Sequence, residues 1–258
     1  MKALKTRHYI AAAVVTVATS LALYGCSAAS IGNIANVGAA AKALSQGDIA
    51  AGLKEALNIG INVGISQLSK NNGYYNELAT RINLPKEALV ITQNIAKLPG
   101  GQAMVTKVVK NINAAASDAA TEAVPIFASA LTSMTIDDAT NILKGGGTKA
   151  TDYFKTKTKS PLKNLFGKFI HKSINKKLIG DMSAQSSWNA LTTEWNGVAT
   201  SAVGKAIRLR TVNTDLQDHL TDKAVDGIYY KVGEQEKKIR TDVKARTTDL
   251  LKRVFARQ

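Results

Sequence analysis

Thiols, imidazoles and aromatic rings are scarce in this chain: its 258 residues hold one cysteine, three histidines, four prolines and 5% aromatics. A single cysteine excludes internal disulfides and metal sites built from several thiolates. No Gly-x-Ser-x-Gly elbow marks a serine hydrolase. No alternating strand pattern and no internal repeat is present. Acidic residues are in the minority, 19 against 34 lysines and arginines, which leaves a formal charge of +15.

The one cysteine, Cys26, ends the run Leu23-Tyr24-Gly25-Cys26. Lys2, Lys5 and Arg7 precede an apolar stretch of 14 residues from Ile10 to Leu23. A spanning helix needs about 20, so the pattern predicts a cleaved secretory signal over 1–25. A cysteine directly after the cut resembles a bacterial lipobox, in which the thiol is acylated (palmitate) and becomes the new N-terminus. Tyr24 stands where smaller residues are commoner, and the alternative is an ordinary signal with Cys26 incidental. Each buried methylene contributes ~0.8 kcal/mol, and the two or three chains that the resemblance implies make a permanent membrane anchor. Ser27, in place of an aspartate, resembles the sorting pattern of enteric-type bacteria, and that resemblance implies an outer membrane lipoprotein facing the periplasm rather than one retained at the inner membrane. Residues 26–47, rich in Ala, Ser, Gly and Asn, then read as a lipidated tether, and 48–258 as the domain.

Alanine-rich apolar positions and sparse β-branched runs predict an all-α fold, a compact multi-helix domain. Asp48 suits a helix cap before Leu53, Leu57, Ile61, Ile65 and Leu68, and Asn71-Asn72-Gly73 stops that helix. Pro85 suits the start of a second helix, with Leu89, Ile95 and Leu98 on its stripe up to Pro99. Residues 102–124 read as a central buried helix. Pro125 either kinks it or starts the next one. Thr135-Ile-Asp-Asp138 resembles a capping box, and Gly145-Gly146-Gly147 a stop. Ser160-Pro161 predicts a fresh helix start. Further helices are expected over 183–199, over 215–240 with a possible break at Thr221, and at the C-terminus.

Charge is concentrated. Ten lysines and one acid, Asp152, lie between Lys144 and Lys177. Such a block attracts an anionic envelope component or protein partner, or is a solvated helix face. Within it Leu162, Leu165, Phe166, Phe169, Ile170 and Ile174 form one helical stripe, as on a membrane-surface helix or a core helix with a lysine-rich outside. Gly147-Thr148-Lys149 lacks the spacing and the preceding strand of a phosphate loop. Asp215, Asp218, His219 and Asp222 share a helix face, yet one face without a second ligand source is a poor metal site, and no metal or cofactor is expected. Glu194, between Trp188 and Trp195, is the carboxylate to inspect for sugar chemistry. His171 stands inside the lysine block, where its neighbours disfavour a bound cation.

Several segments taken together resemble a bacterial family catalogued only as a domain of unknown function. They are Gly52-Leu-Lys-Glu-Ala-Leu57, Gln67-Leu-Ser69 with Gly73-Tyr-Tyr75, Pro125-Ile-Phe127, Met134-Thr-Ile-x-Asp-Ala139 with Ile142-Leu143, Ala224-x-Asp-Gly227, and Glu236-Lys-Lys-Ile-Arg240 with Ala245-Arg-Thr-Thr-Asp-Leu-Leu251. The resemblance implies a secreted or lipid-anchored helical protein and no particular activity. The chain departs from the pattern after Asn113, where Ala114 and Ser117 replace an expected Arg and Glu.

The best-matching segments contain Asp226, Glu236, Arg240, Arg246 and Asp249. Glu236 and Arg240 are spaced as a helix ion pair. If the C-terminus folds back, Arg246 and Asp249 join them, either as a lock on the tail or as a pocket for an anionic ligand with Arg246 as clamp. The expectation is a lipid-anchored, non-catalytic binding or envelope-structural module. The alternative is a periplasmic hydrolase or small anionic-ligand enzyme built on the Glu/Arg cluster. Export makes a nucleic-acid partner unexpected.

Overall fold

Helix α1 (Gln46–Leu68) begins where Ser45 and Asp48 cap each other: the Ser45 hydroxyl accepts the Asp48 N–H, and the Asp48 carboxylate accepts the Ser45 N–H. Ser45, not Asp48, is therefore the N-cap, and the helix starts inside the segment expected to be tether. The structure is a computed structural model and describes residues 44–95 and 100–256. Cys26, the signal segment, most of the expected tether, Leu98 and Pro99 lie outside the described residues.

After α1 an irregular connection leads to a 3-10 turn (Lys86–Ala88) and helix α2 (Leu89–Ile95). The turn's tighter winding rotates the register. Ala88 and Ile91 are buried, and Leu89, expected on the buried stripe, is exposed. Helix α3 (Gly101–Ala119) passes through a 3-10 turn (Ala120–Ala123) into α4 (Val124–Ser133). Pro125 lies in the first turn of α4, where its missing N–H forfeits no bond, so it starts a helix rather than kinking one. Ala115, Ala116 and Ala119 of α3 are buried while Met104 is exposed; the helix is amphipathic, not enclosed on all sides. The expected Thr135–Asp138 box opens α5 (Ile136–Gly145), and Gly146 and Gly147 follow with φ of 61° and 56°, left-handed conformations that suit glycine.

Helix α6 (Lys149–Ile174) differs from expectation, because Pro161 lies in its interior rather than at its start. Phe154, Thr158, Leu162, Phe166 and Ile170 are all buried, so one four-residue stripe continues across the proline and its packing outweighs the lost backbone bond. Leu165 of the predicted stripe is 47% exposed. Ser183 caps α7 (Ala184–Thr200), and the short α8 (Ala202–Ala206) follows it. Helix α9 (Gln217–Thr241) is unbroken at Thr221, which is buried. Thr248 caps α10 (Asp249–Val254).

Helix α9 runs antiparallel to α6: Glu236 meets Thr151, Tyr229 meets Thr158 at 2.8 Å, Asp222 meets Lys163 and Gln217 meets His171. Helix α1 packs on another side of α9, and α4, α5 and α10 pack on α1. Gly64 lets α1 approach closely, since a Cβ there would lie 3.3 Å from the Lys231 carbonyl carbon. Phe127 of α4 reaches Phe154 and Tyr229 edge-on at 5.6 and 5.9 Å. Helix α3 joins α6 to α7; Asn111 donates to Ser187, and Asp118 accepts from Ser173 and Lys176. Ser117, at one of the departures from the family pattern, accepts the Tyr74 N–H at 3.4 Å. Among the described residues the fold is all-helical, with one isolated bridge between Ile179 and Met182. No single described helix is long and apolar enough to cross a membrane.

Candidate functional site

Glu236 and Arg240 face the same side of α9 and are both buried. The Glu236 carboxylate accepts the N–H groups of Ala150 and Thr151 at 3.0 and 2.9 Å and the Thr151 hydroxyl at 2.8 Å. Its Oε1 also accepts from Nε and Nη2 of Arg240 at 3.1 and 3.0 Å. Thr148, at the N-cap of α6, makes no side-chain cap, so a carboxylate from another helix does that work and complements the positive end of the helix dipole. Arg240 in turn donates to the carbonyls of Ile142 and Leu143 at the end of α5. One ion pair thus clamps both sides of the Gly145-Gly146-Gly147 turn. The faint likeness of this turn to a phosphate loop also finds its answer, because the anion at the α6 N-terminus is the protein's own carboxylate.

Arg246 turns back from the C-terminal segment and donates to the carbonyls of Ile239 and Arg240 at 3.0 and 2.8 Å, which finishes α9. The cavity beside the cluster, lined by Leu53, Gly60, Ile239 and Phe255 among others, measures ≈ 10 Å³, at the limit of a single water. The structure therefore brings Glu236, Arg240 and Arg246 together, around a closed ion pair whose acceptors are all used. It does not bring Asp249 or Asp226 to them. Asp249 is exposed and pairs with Lys252, and Asp226 is exposed and pairs with Lys223 at 3.6 Å.

The other sequence candidates are scattered. Asp215 precedes α9 and accepts the Gln217 N–H, so it does not share the face expected with Asp218, His219 and Asp222. The His219 Nε2 lies 2.8 Å from the Asn83 carbonyl; a carbonyl only accepts, so this nitrogen carries the proton. Asp222 holds Lys163, whose pKa is raised above the ordinary lysine value by that hydrogen bond. No group of three or more His, Cys, Asp or Glu among the described residues is placed to hold a metal. Glu194 is exposed while Trp188 and Trp195 are buried in the core. All ten lysines of the 144–177 block are exposed.

A larger feature involves residues that sequence reasoning did not single out. Between the 79–86 segment, α9 and the first turns of α6 lies an open cleft of ≈ 970 Å³. Its outer wall is fastened from several sides. Asn113 accepts the Ile82 N–H and donates to the Ile82 carbonyl, His219 holds Asn83, and Arg81 Nε donates to the Tyr75 carbonyl at 2.5 Å. Thr151, Tyr229 and Gly233 line the floor, and Lys86, Lys155, Lys223, Lys237 and Lys238 surround it. The two acids of the lining, Asp226 and Glu234, are engaged by Lys223 and Lys231. No ion pair joins Lys86, Lys155, Lys237 or Lys238 to a described residue; the Lys155 ammonium sits 5.9 Å from the Tyr229 ring centre. Burial pushes the Tyr229 phenol above its usual range. Only Lys155 belongs to the basic block. The remaining cations come from three separate places in the chain, so no local pattern announces them.

No curated protein and no solved structure was found to match this sequence. A family match does cover most of it, residues 43–256, under the description "Protein of unknown function (DUF4197)". Several of the segments that carry the resemblance meet in the interior: Tyr74 bonds to Ala224, Phe127 reaches the α6/α9 aromatic contact, and Ile142 and Leu143 accept from Arg240. The chain belongs to this family of unknown function.

Proposed function

We propose that this protein is a lipid-anchored, non-catalytic module of the bacterial envelope that binds an anionic envelope component in its basic cleft. Export and acylation at Cys26 place the domain on the periplasmic face of the outer membrane. The observation that carries the binding reading is the set of lysines, Lys86, Lys155, Lys237 and Lys238, that no described residue holds in an ion pair, around an open cleft with a fastened wall. Such a site attracts phosphate or carboxylate groups through charge and through lysine donors. The hydrolase alternative loses its support, because Glu236 has no free lone pair to act as base and Arg246 serves backbone carbonyls.

Two measurements test the proposal. Titration calorimetry with inorganic polyphosphate and with purified lipopolysaccharide should show binding that weakens as salt is added. Lys86→Glu with Lys237→Glu and Lys238→Glu should weaken it at least about tenfold, on the scale of three lost charge contacts at ~1 kcal/mol or less each. Unchanged affinity in the triple variant, with its fold intact by circular dichroism, would move the site elsewhere. Cys26→Ser should abolish incorporation of labelled palmitate; persistence of the label would remove the anchor from the proposal.

A further inference from the structure

The stretch from Trp195 to Thr214 contains no acidic residue and carries Lys205, Arg208 and Arg210, all exposed. It also holds three of the most exposed aliphatic side chains in the described structure: Val198 at 54%, Val203 at 69% and Ile207 at 64%. Val203 and Ile207 are one helical turn apart, joined by the Ile207 N–H to the Val203 carbonyl at 3.1 Å, so they share a face. Val198 lies on the adjoining last turn of α7. Isolated exposed aliphatics are ordinary on a protein surface. Three in one tip whose only charged residues are cations, with Glu194 one turn before Val198 the acid nearest to it in sequence, are a pattern with a physical consequence.

The tip is held in place. The α8 helix ends in a Schellman arrangement: the Leu209 N–H reaches the Gly204 carbonyl at 2.8 Å and the Arg208 N–H the Lys205 carbonyl at 3.1 Å. Arg208 occupies the left-handed position, φ 58°, where glycine is usual. A side chain is thus kept there against its backbone preference, and that side chain is an exposed cation. Gly204 seats α8 on the end of α7, since a Cβ there would lie 2.1 Å from the Val198 carbonyl oxygen. The returning chain is pinned by Trp195 Nε1 to the Arg210 carbonyl at 2.9 Å and by Asn196, which bonds both N–H and carbonyl of Val212.

We propose that this tip, Val198, Val203 and Ile207 with Lys205, Arg208 and Arg210, docks on a lipid surface bearing anionic headgroups. The aliphatics enter the headgroup boundary and the cations meet lipid phosphates, the division of labour of an interfacial segment. The three cations Lys205, Arg208 and Arg210 favour an anionic surface over a neutral apolar partner or a second copy, where three like charges on each side would oppose each other. The docking orients the domain and does not depend on the basic cleft or on acylation at Cys26.

The test uses the whole protein with Val203→Cys carrying an environment-sensitive fluorophore, and Ser66→Cys labelled in the same way as a reference. Cys26→Ser is added if mass spectrometry finds Cys26 unmodified. Each protein is read with vesicles of phosphatidylcholine and with vesicles in which part of it is replaced by phosphatidylglycerol. On the anionic vesicles the Val203 probe should shift to the blue and be quenched by spin-labelled lipid, the reference probe should not, and added salt should reverse the effect. Ile207→Asp, and separately Lys205→Glu with Arg208→Glu, should reduce the lipid-dependent signal at least about tenfold while the circular dichroism spectrum is unchanged. Equal emission on both vesicle types would overturn the proposal. So would a blue shift without vesicles that grows with protein concentration, which would mark self-association. An anchored protein gives the same localisation whatever the probe reports, so failure of the anchor and failure of the tip are read separately.

Discussion

Glu236 is charged, buried and saturated with donors, and its energetic role follows from that combination. Taking a carboxylate out of water is costly unless its partners remain, so breaking the pair costs more than the pair contributes. Glu236→Gln keeps the shape but removes the negative charge that faces the buried Arg240 guanidinium. Urea denaturation should show a loss of about 3–5 kcal/mol. Replacing Glu236 and Arg240 together with methionine should cost less than the two single changes summed, because no unpaired charge is left behind. A second residue-scale prediction concerns Gly227. A Cβ there would sit 2.6 Å from Cε1 of the fully buried Tyr74 ring, so Gly227→Ala should destabilise by about 1–3 kcal/mol through overpacking, checked by the same denaturation.

Helices show where local chemistry decides and where packing overrides it. Pro161 lacks the N–H that would bond the Lys157 carbonyl, and an interior proline costs ~3 kcal/mol relative to alanine. Part of that returns through a less disordered unfolded chain, ~0.4–1 kcal/mol. Pro161→Ala should therefore stabilise by about 2 kcal/mol, seen as a higher melting temperature. Helix starts written in a few consecutive residues, such as Thr135 to Asp138 and Ser183, were legible in the sequence. The start expected at Ser160-Pro161 failed because its local cue competes with a buried stripe running from Phe154 to Ile170. The Thr135–Asp138 box also has a sign in pH. Hydrogen bonds from the Thr135 backbone and side chain hold the Asp138 carboxyl below its ordinary value of 3.8. Its contribution is complete above that value and is lost as pH falls through the lower, folded pKa. The acid limb of the urea midpoint should be shallower in Asp138→Asn than in the parent, and Thr135→Ala should cost about 1 kcal/mol at neutral pH.

At the scale of the molecule, what holds the fold is written in contacts between distant positions, and this limits what a sequence reveals. The ion pair Glu236–Arg240 was legible from its four-residue spacing, and Arg246 from the chance that the tail returns. The basic cleft was not, because Lys86, Lys155 and Lys237 meet only after α6 and α9 pack against a loop that Asn113 and His219 fasten. The same long-range ties predict alkaline behaviour. Tyr74 joins the connection after α1 to α9 by donating to the Ala224 carbonyl at 2.8 Å, and burial pushes its phenol far above the ordinary 10.0. Lys231 joins the same two regions through Glu77 and Glu234. Burial opposes its charge, but those hydrogen bonds outweigh the opposition and hold its pKa above 10.5. Both groups keep their protons in the folded state when the unfolded chain would lose them. Stability is therefore complete below the unfolded values and declines as pH rises past them. Tyr74→Phe should lose about 1 kcal/mol at neutral pH, the worth of one hydrogen bond. It should nevertheless fall less steeply than the parent once the unfolded phenol would ionise, because phenylalanine has no proton to lose. Lys231→Met should flatten the limb that begins half a unit higher. Urea midpoints followed from neutral to strongly alkaline buffer separate the two, and an unchanged slope in both variants would show that neither tie senses the proton as its burial and bonding require.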